Sequence, residues 1–260
     1  MKKKAILAVS FGTSYPETLE KTVGAIEKDL ARNFDDYDFF RAFTSPTVRK
    51  KILESTGERI LNVSEALENL RREGYTEVLV QPTHILMGYE YDRLRQDVSA
   101  FKNTFEDLVL GAPLLASGED IELTVDFLTG LAKECPDDTA LVFMGHGTEH
   151  DVNPVYEKLA GLLPCNTFLG TVESSPTLED VLSRVKAAGR FRQVLLQPFM
   201  IVAGDHACND MASDEPDSWK SCFASEGYEV SCRLIGLGEY PVIRERFVRH
   251  AQAAIKEGMI

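Results

Sequence analysis

One pattern occurs twice in this chain. The stretch EVLVQPTHILMGYE at 77–90 returns as QVLLQPFMIVAGDH at 193–206. Three further matches follow the same order. SFGTS (10–14) pairs with GHGTE (145–149), AFTSPT (42–47) with VESSPT (172–177), and SGED (117–120) with LGEY (237–240). Ordered matches at similar spacing are the mark of an internal duplication. They predict two similar lobes related by a pseudo-twofold axis, the first over 1–125 and the second over 126–239.

Each lobe reads as α/β. AILAVSF, YDFFRAF, VLVQPTHI and LVLGAPLL are strand-like in the first half, and TALVFMG, NTFLGTV, QVLLQPFMIV and EVSCRLIG in the second. Amphipathic stretches lie between them. One is YPETLEKTVGAIEKDLARN, read as a single helix with Pro16 near its start. Apolar strands alternating with helices predict a parallel sheet flanked by helices in each lobe. Ligands of such sheets bind beyond the carboxyl ends of the strands, where all the matched motifs fall, and a cleft between the lobes is the expected location.

Composition narrows the function. The net charge of −13 argues against nucleic acid, which needs a basic footprint. No apolar run reaches the roughly eighteen residues of a membrane span. MKKKAILAVSFGTS reads as a first buried strand rather than a signal peptide, so a cytoplasmic location is expected. The five cysteines form no CxxC pair and read as reduced thiols. The motifs GxxxxGK[ST], GxGxxG after the first strand, GxSxG and HExxH do not occur.

The halves differ where chemistry is expected. Phe11 corresponds to His146, Phe43 to Glu173 and Glu90 to His206. The second half therefore offers two imidazoles and a carboxylate from three strand ends, a reasonable set for a first-row divalent cation. The flanking Gly145, Gly147 and Gly204 permit tight turns. His84 reads as core, His150 as loop and His250 as surface helix. The acidic run DMASDEPDSWK reads as a solvated loop or a lid that conducts a cation.

VSFGTS, FRAFTS, FMGHG, VES, VAGDHACNDMASDEPDSWK and the closing GLGEYPVIRERFV together resemble the anaerobic-pathway sirohydrochlorin cobaltochelatases, over essentially the whole chain. These are single-chain, ATP-independent tetrapyrrole chelatases with a two-lobed fold. The resemblance implies an enzyme that inserts Co²⁺ into sirohydrochlorin, with His146, Glu173 and His206 as metal and catalytic residues. It makes Co²⁺ and the macrocycle substrates, with no permanently bound cofactor. It also implies that a helix at about 240–260 packs on the first lobe, and that the chain forms a homo-oligomer. Cys208 departs from the family pattern. His146 is expected as ligand and base, His206 as ligand, and Glu173 as charge partner and proton relay. The polycarboxylate substrate needs partners: Ser10, Gly12, Thr13 and Ser45 in loops at helix starts, with Glu90, Arg93, Arg95 and Lys220. Iron or nickel in the same macrocycle, and a non-catalytic tetrapyrrole or metal carrier, are the alternatives.

Overall fold

The computed structural model describes residues 2–258. The chain divides into two compact units, one running to Ala116 and resuming at Gly238, the other Ser117–Leu237.

The first unit contains β1 (Lys4–Ser10), α1 (Pro16–Lys21), α2 (Val23–Asn33), β2 (Asp38–Phe43), α3 (Pro46–Thr56), α4 (Val63–Arg72), β3 (Glu77–Pro82), α5 (Tyr89–Ala100) and β4 (Asp107–Leu110). Its sheet has the order β2-β1-β3-β4, all parallel. β1 is central, and Ala5 through Val9 have no accessible surface. Burying each of its larger aliphatic side chains contributes roughly 1.5–3 kcal/mol. Val63, Leu67 and Leu70 recur at helical spacing in α4 and pack on one face of the sheet.

The second unit contains α6 (Gly118–Lys133), β5 (Thr139–Gly145), α7 (Pro154–Leu162), β6 (Thr167–Thr171), α8 (Leu178–Ala188), β7 (Gln193–Pro198), a π-helical turn (Ala207–Met211), α9 (Trp219–Ser225) and β8 (Glu229–Cys232). Its order β6-β5-β7-β8 repeats that of the first sheet, again all parallel. Both central pairs end at proline, with Val9 beside Pro82 and Met144 beside Pro198, because proline cannot extend the ladder. Gln81 and Gln197, which precede these prolines, are fully buried.

α10 (Pro241–Glu257) packs against α2, β3 and β4. Arg244 Nε donates to Asp29 Oδ2 at 2.6 Å, and His250 Nδ1 lies 3.2 Å from the Ala112 carbonyl.

Several expectations need correction. The helix expected over 15–33 breaks at Thr22 into α1 and α2. Thr22 leaves helical dihedrals, its hydroxyl donates back to the Thr18 carbonyl at 2.6 Å, and Gly24 follows. His250, read as a surface residue, is buried on the inner face of α10. The division falls at 116/117 rather than 125/126, since α6 lies whole in the second unit, capped by Ser117, whose hydroxyl accepts from Asp120 N.

Candidate metal centre

Three ends of the second sheet carry the cluster. His146 directly follows β5, Glu173 lies just beyond β6, and His206 precedes the π-helical turn after β7. One ligand atom from each lies within 4.8 Å of the others.

Local geometry turns His146 upward. Gly147 has φ +83°, and a Cβ there would meet Thr171 Oγ1 at 2.8 Å and Ser174 N at 2.9 Å. Gly145 is equally confined, since a Cβ would lie 2.8 Å from Tyr156 Cε1. Tyr156 is buried beneath this turn and hydrogen-bonded to the Gly147 backbone. Burial pushes its phenol up to about 12, so the hydroxyl stays protonated. Only glycine fits either position without displacing the brace.

The hydrogen bonds choose the imidazole tautomers. His146 Nδ1 faces two acceptors, the Gly147 carbonyl at 2.9 Å and Glu173 Oε2 at 3.4 Å. His206 Nδ1 faces Asp210 Oδ2 at 2.7 Å. Placing each proton on Nδ1 satisfies these acceptors and leaves the Nε2 lone pairs available to a cation. The two rings meet edge to face, with centroids 4.7 Å apart. The side chains of His146, Glu173 and His206 are 47%, 53% and 39% exposed, so water and ions reach all three. The ligand atoms spread wider than the ~3.4 Å separation of donors in a closed tetrahedral site. Three donors with positions left for water or substrate make an open centre, suited to taking up a cation and giving it away.

Asp210 escaped sequence reasoning, which grouped it with a solvated acidic run. The signal was present as an H-x-x-x-D spacing in HACND. That run is an ordered segment. Ser218 caps α9 and donates to the Ser213 carbonyl, and Trp219 is buried with Val181 and Phe223 in the core.

The pairing of Phe43 with Glu173 is also corrected. Thr44 N donates to the Ser10 carbonyl and Ser45 N to that of Phe11. In the second unit, Val172 N donates to Gly145 and Glu173 N to His146. Ser45 is therefore the counterpart of Glu173. Ser45 itself caps α3, whereas the second unit inserts Ser174, Ser175 and Pro176 before its cap, Thr177. The shared SPT string pairs Ser45 with Ser175, and so matches neither the strand ends nor the helix caps.

The residues expected to bind substrate carboxylates are placed as follows. Ser10 and Thr13 are buried; Thr83 Oγ1 donates to Ser10 Oγ at 2.7 Å, and Thr13 Oγ1 accepts from Tyr15 N. Gly12 forms a left-handed turn whose Cβ would strike the Phe43 ring at 2.4 Å. Ser45 is buried and its hydroxyl accepts from Val48 N. Glu90 is half-buried in the first turn of α5, and Arg93 is exposed on the same helix. Arg95 pairs with Asp92, and Lys220 with Asp214 at 2.7 Å. Of the remaining histidines, His150 Nδ1 accepts from Val152 N, and both ring nitrogens of His84 are sealed from solvent without partners.

Comparison with known proteins agrees with this architecture. A family model described as cobalt chelatase (CbiK) matches residues 4–256. The sirohydrochlorin cobaltochelatase of Salmonella typhimurium is 40% identical over 259 residues, covering 97% of each chain. Sirohydrochlorin cobaltochelatase CbiKC of Nitratidesulfovibrio vulgaris is 34% identical over 261 residues, covering 98% of this chain and 92% of the relative. Among solved structures, SirB from Bacillus subtilis with Fe³⁺ aligns with a TM-score of 0.62 at 14% identity, covering 98% of both chains. The sirohydrochlorin chelatase SirB of Bacillus subtilis subspecies spizizenii in complex with cobalt gives 0.63 at 14% identity, covering 98% of this chain and 96% of that one. At that identity the structural matches speak for the fold. The sequence matches, spanning nearly the whole chain, go further: the chain belongs to the cobalt chelatase (CbiK) family.

Proposed function

We propose that the protein inserts Co²⁺ into sirohydrochlorin without ATP, as a lyase-class chelatase of cobalamin biosynthesis working in the cytoplasm with no resident cofactor. The observation that carries this reading is the open His146–Glu173–His206 cluster in a chain of this family.

The chemistry follows from the donors. Nε2 of His146 and of His206 take the hydrated cation, and Glu173 offsets its charge. Two neutral nitrogens and one carboxylate hold a dication only moderately, which transfer to the macrocycle requires. Each pyrrole N–H of the ring must lose its proton as the metal enters. His146, once it releases the cation, has the basicity to accept one, and the adjacent Glu173 carboxylate can pass it to water. The acidic Asp205 and Asp210 beside His206 favour cations at this sheet edge.

The test mixes purified protein with sirohydrochlorin and Co²⁺ and follows the visible spectrum. A chelatase raises the insertion rate above that of the mixture without protein. A carrier would shift the spectrum on binding and leave the rate unchanged, which would overturn the reading. Competition of Co²⁺ with Fe²⁺ and Ni²⁺ in the same assay decides the metal, because these donors do not discriminate between divalent ions by type.

A further inference from the structure

Residues 199–204, which lead from β7 to His206, belong to no helix or strand, so their path is set by what lies against them. Phe199 N donates to the Met144 carbonyl at 2.7 Å, and its ring meets those of Phe143 and Tyr156 edge to face. The chain then meets the segment that leaves β8. Leu237 N donates to the Met200 carbonyl at 2.8 Å, and Gln197 Nε2 donates to that of Ile235 at 3.5 Å. Between these two anchors Gly236 comes against Ile201, Val202 and Ala203.

The approach is close. A Cβ at Gly236 would lie 2.5 Å from the Ile201 carbonyl oxygen, 2.9 Å from Ala203 N and 3.0 Å from Val202 Cα. All three are backbone atoms, so no side chain can swing aside to make room. Gly236 is buried, and its φ is outside the left-handed region. Glycine is required here by proximity, not by backbone conformation.

The first unit builds the same clamp with different residues. Gly111 N donates to the Val80 carbonyl and Leu114 N to that of His84, where the second unit has Arg233 N on Leu196 and Leu237 N on Met200. Ala112 and Pro113 lie between the first pair of donors; Leu234, Ile235 and Gly236 lie between the second. The residue just before the second anchor is thus Pro113 in one unit and Gly236 in the other. A side chain is accommodated at that point where the loop leads to Glu90, and excluded where it leads to His206.

We propose that Gly236 is a positioning residue for the metal centre. Without a side chain, it lets the segment after β8 seat on Ile201–Ala203 and so fixes where His206 stands. This rests on the function proposed above only in taking the His146–Glu173–His206 cluster as the place where the cation binds. His206 lies three residues beyond Ala203, whose amide is one of the atoms a side chain would displace. A displacement of about 1 Å at such a group costs on the order of a hundred-fold in rate. Gly236 has no donor side chain and acts through the loop alone.

The test uses the full chain with Gly236→Ala. Co²⁺ affinity is read from the visible absorption of the bound ion. The ring ¹H–¹³C NMR signals of the five histidines are read in metal-free protein, assigned by single replacements. Expected is about ten-fold weaker Co²⁺ binding. The His206 ring signals should move, those of its edge-to-face neighbour His146 should follow, and those of His84, His150 and His250 should hold. Wild-type Co²⁺ affinity or unmoved His206 signals in the folded variant overturn the assignment. Movement of all five rings also overturns it, since the disturbance would then be general. If Gly236→Ala does not fold, Arg233→Met is read in the same way. It keeps the side-chain bulk and removes the Arg233 Nη1 bond to Gln197 Oε1, 3.4 Å, that ties the segment to β7. The His206 and His146 signals should again move alone, and unmoved signals overturn the proposal. Wild-type protein that binds Co²⁺ without speeding insertion overturns the proposed function and leaves the role of Gly236 standing. Wild-type protein that binds no Co²⁺ overturns both.

Discussion

His206 Nδ1 lies 2.7 Å from Asp210 Oδ2, one π-helical turn along the chain. With the ring proton on Nδ1, this contact leaves the Nε2 lone pair available to a cation. Asp210→Ala should weaken Co²⁺ binding by about 10–100-fold. The measurement is a Co²⁺ titration followed through its visible absorption. Unchanged affinity would show that Asp210 does not orient the ligand.

In the proposed function His146 is both metal ligand and base, with Glu173 Oε2 3.4 Å from its Nδ1. Its side chain is about half exposed, so its removal leaves no cavity in the core. His146→Ala should bring insertion down to the rate without protein, while the circular dichroism spectrum and melting temperature stay near wild type. Insertion that survives in this variant would remove its role as base.

Gly147 and Gly189 both have positive φ, but their surroundings differ. A Cβ on Gly147 would press on Thr171 Oγ1 and Ser174 N, whereas one on Gly189 meets nothing within 4 Å. Gly189→Ala should cost about 1 kcal/mol from backbone strain alone. Gly147→Ala should cost about 2–3 kcal/mol and also lower Co²⁺ affinity, because the displaced atoms hold the turn that carries His146. Urea unfolding of the two variants checks the difference. Equal losses would show that the packing at Gly147 is not limiting.

His84 predicts a pH dependence of stability. Burial lowers its pKa from 6.5 to about 4, against the opposing pull of the Glu90 charge. The folded chain therefore keeps this ring neutral in acid where the unfolded chain protonates it. Between about pH 6.5 and 4 the unfolded state binds more protons, so stability falls as pH falls. The loss is at most on the order of 3 kcal/mol, since part of the residue remains accessible. His84→Leu should flatten the stability profile across that window. An identical slope in both proteins would place the acid sensitivity elsewhere.

Much of the fold was legible because its signals are local. The two QP-terminated strands, the proline and serine starts of helices, and the alternation of apolar runs with amphipathic ones all act over a few residues. The break at Thr22 was missed because no strong breaker marks it; a hydroxyl bond to Thr18 and a following glycine end the helix together. His250 was read as surface because α10 alone does not reveal that Ala112 lies beneath it.

By itself the amino-acid order established that one α/β pattern is repeated, that its loops fall at the strand ends, and that the second copy carries His146, Glu173 and His206 where the first carries other residue types. These are matters of periodicity and residue identity, and the chain states them directly. Only the folded structure decided that ligand atoms of the three residues come within 4.8 Å of one another, that Asp210 meets His206 Nδ1, and that Glu173 answers to Ser45 rather than Phe43. Strand register and loop closure bring together residues far apart in sequence, and those contacts depend on packing that no short stretch of residues encodes.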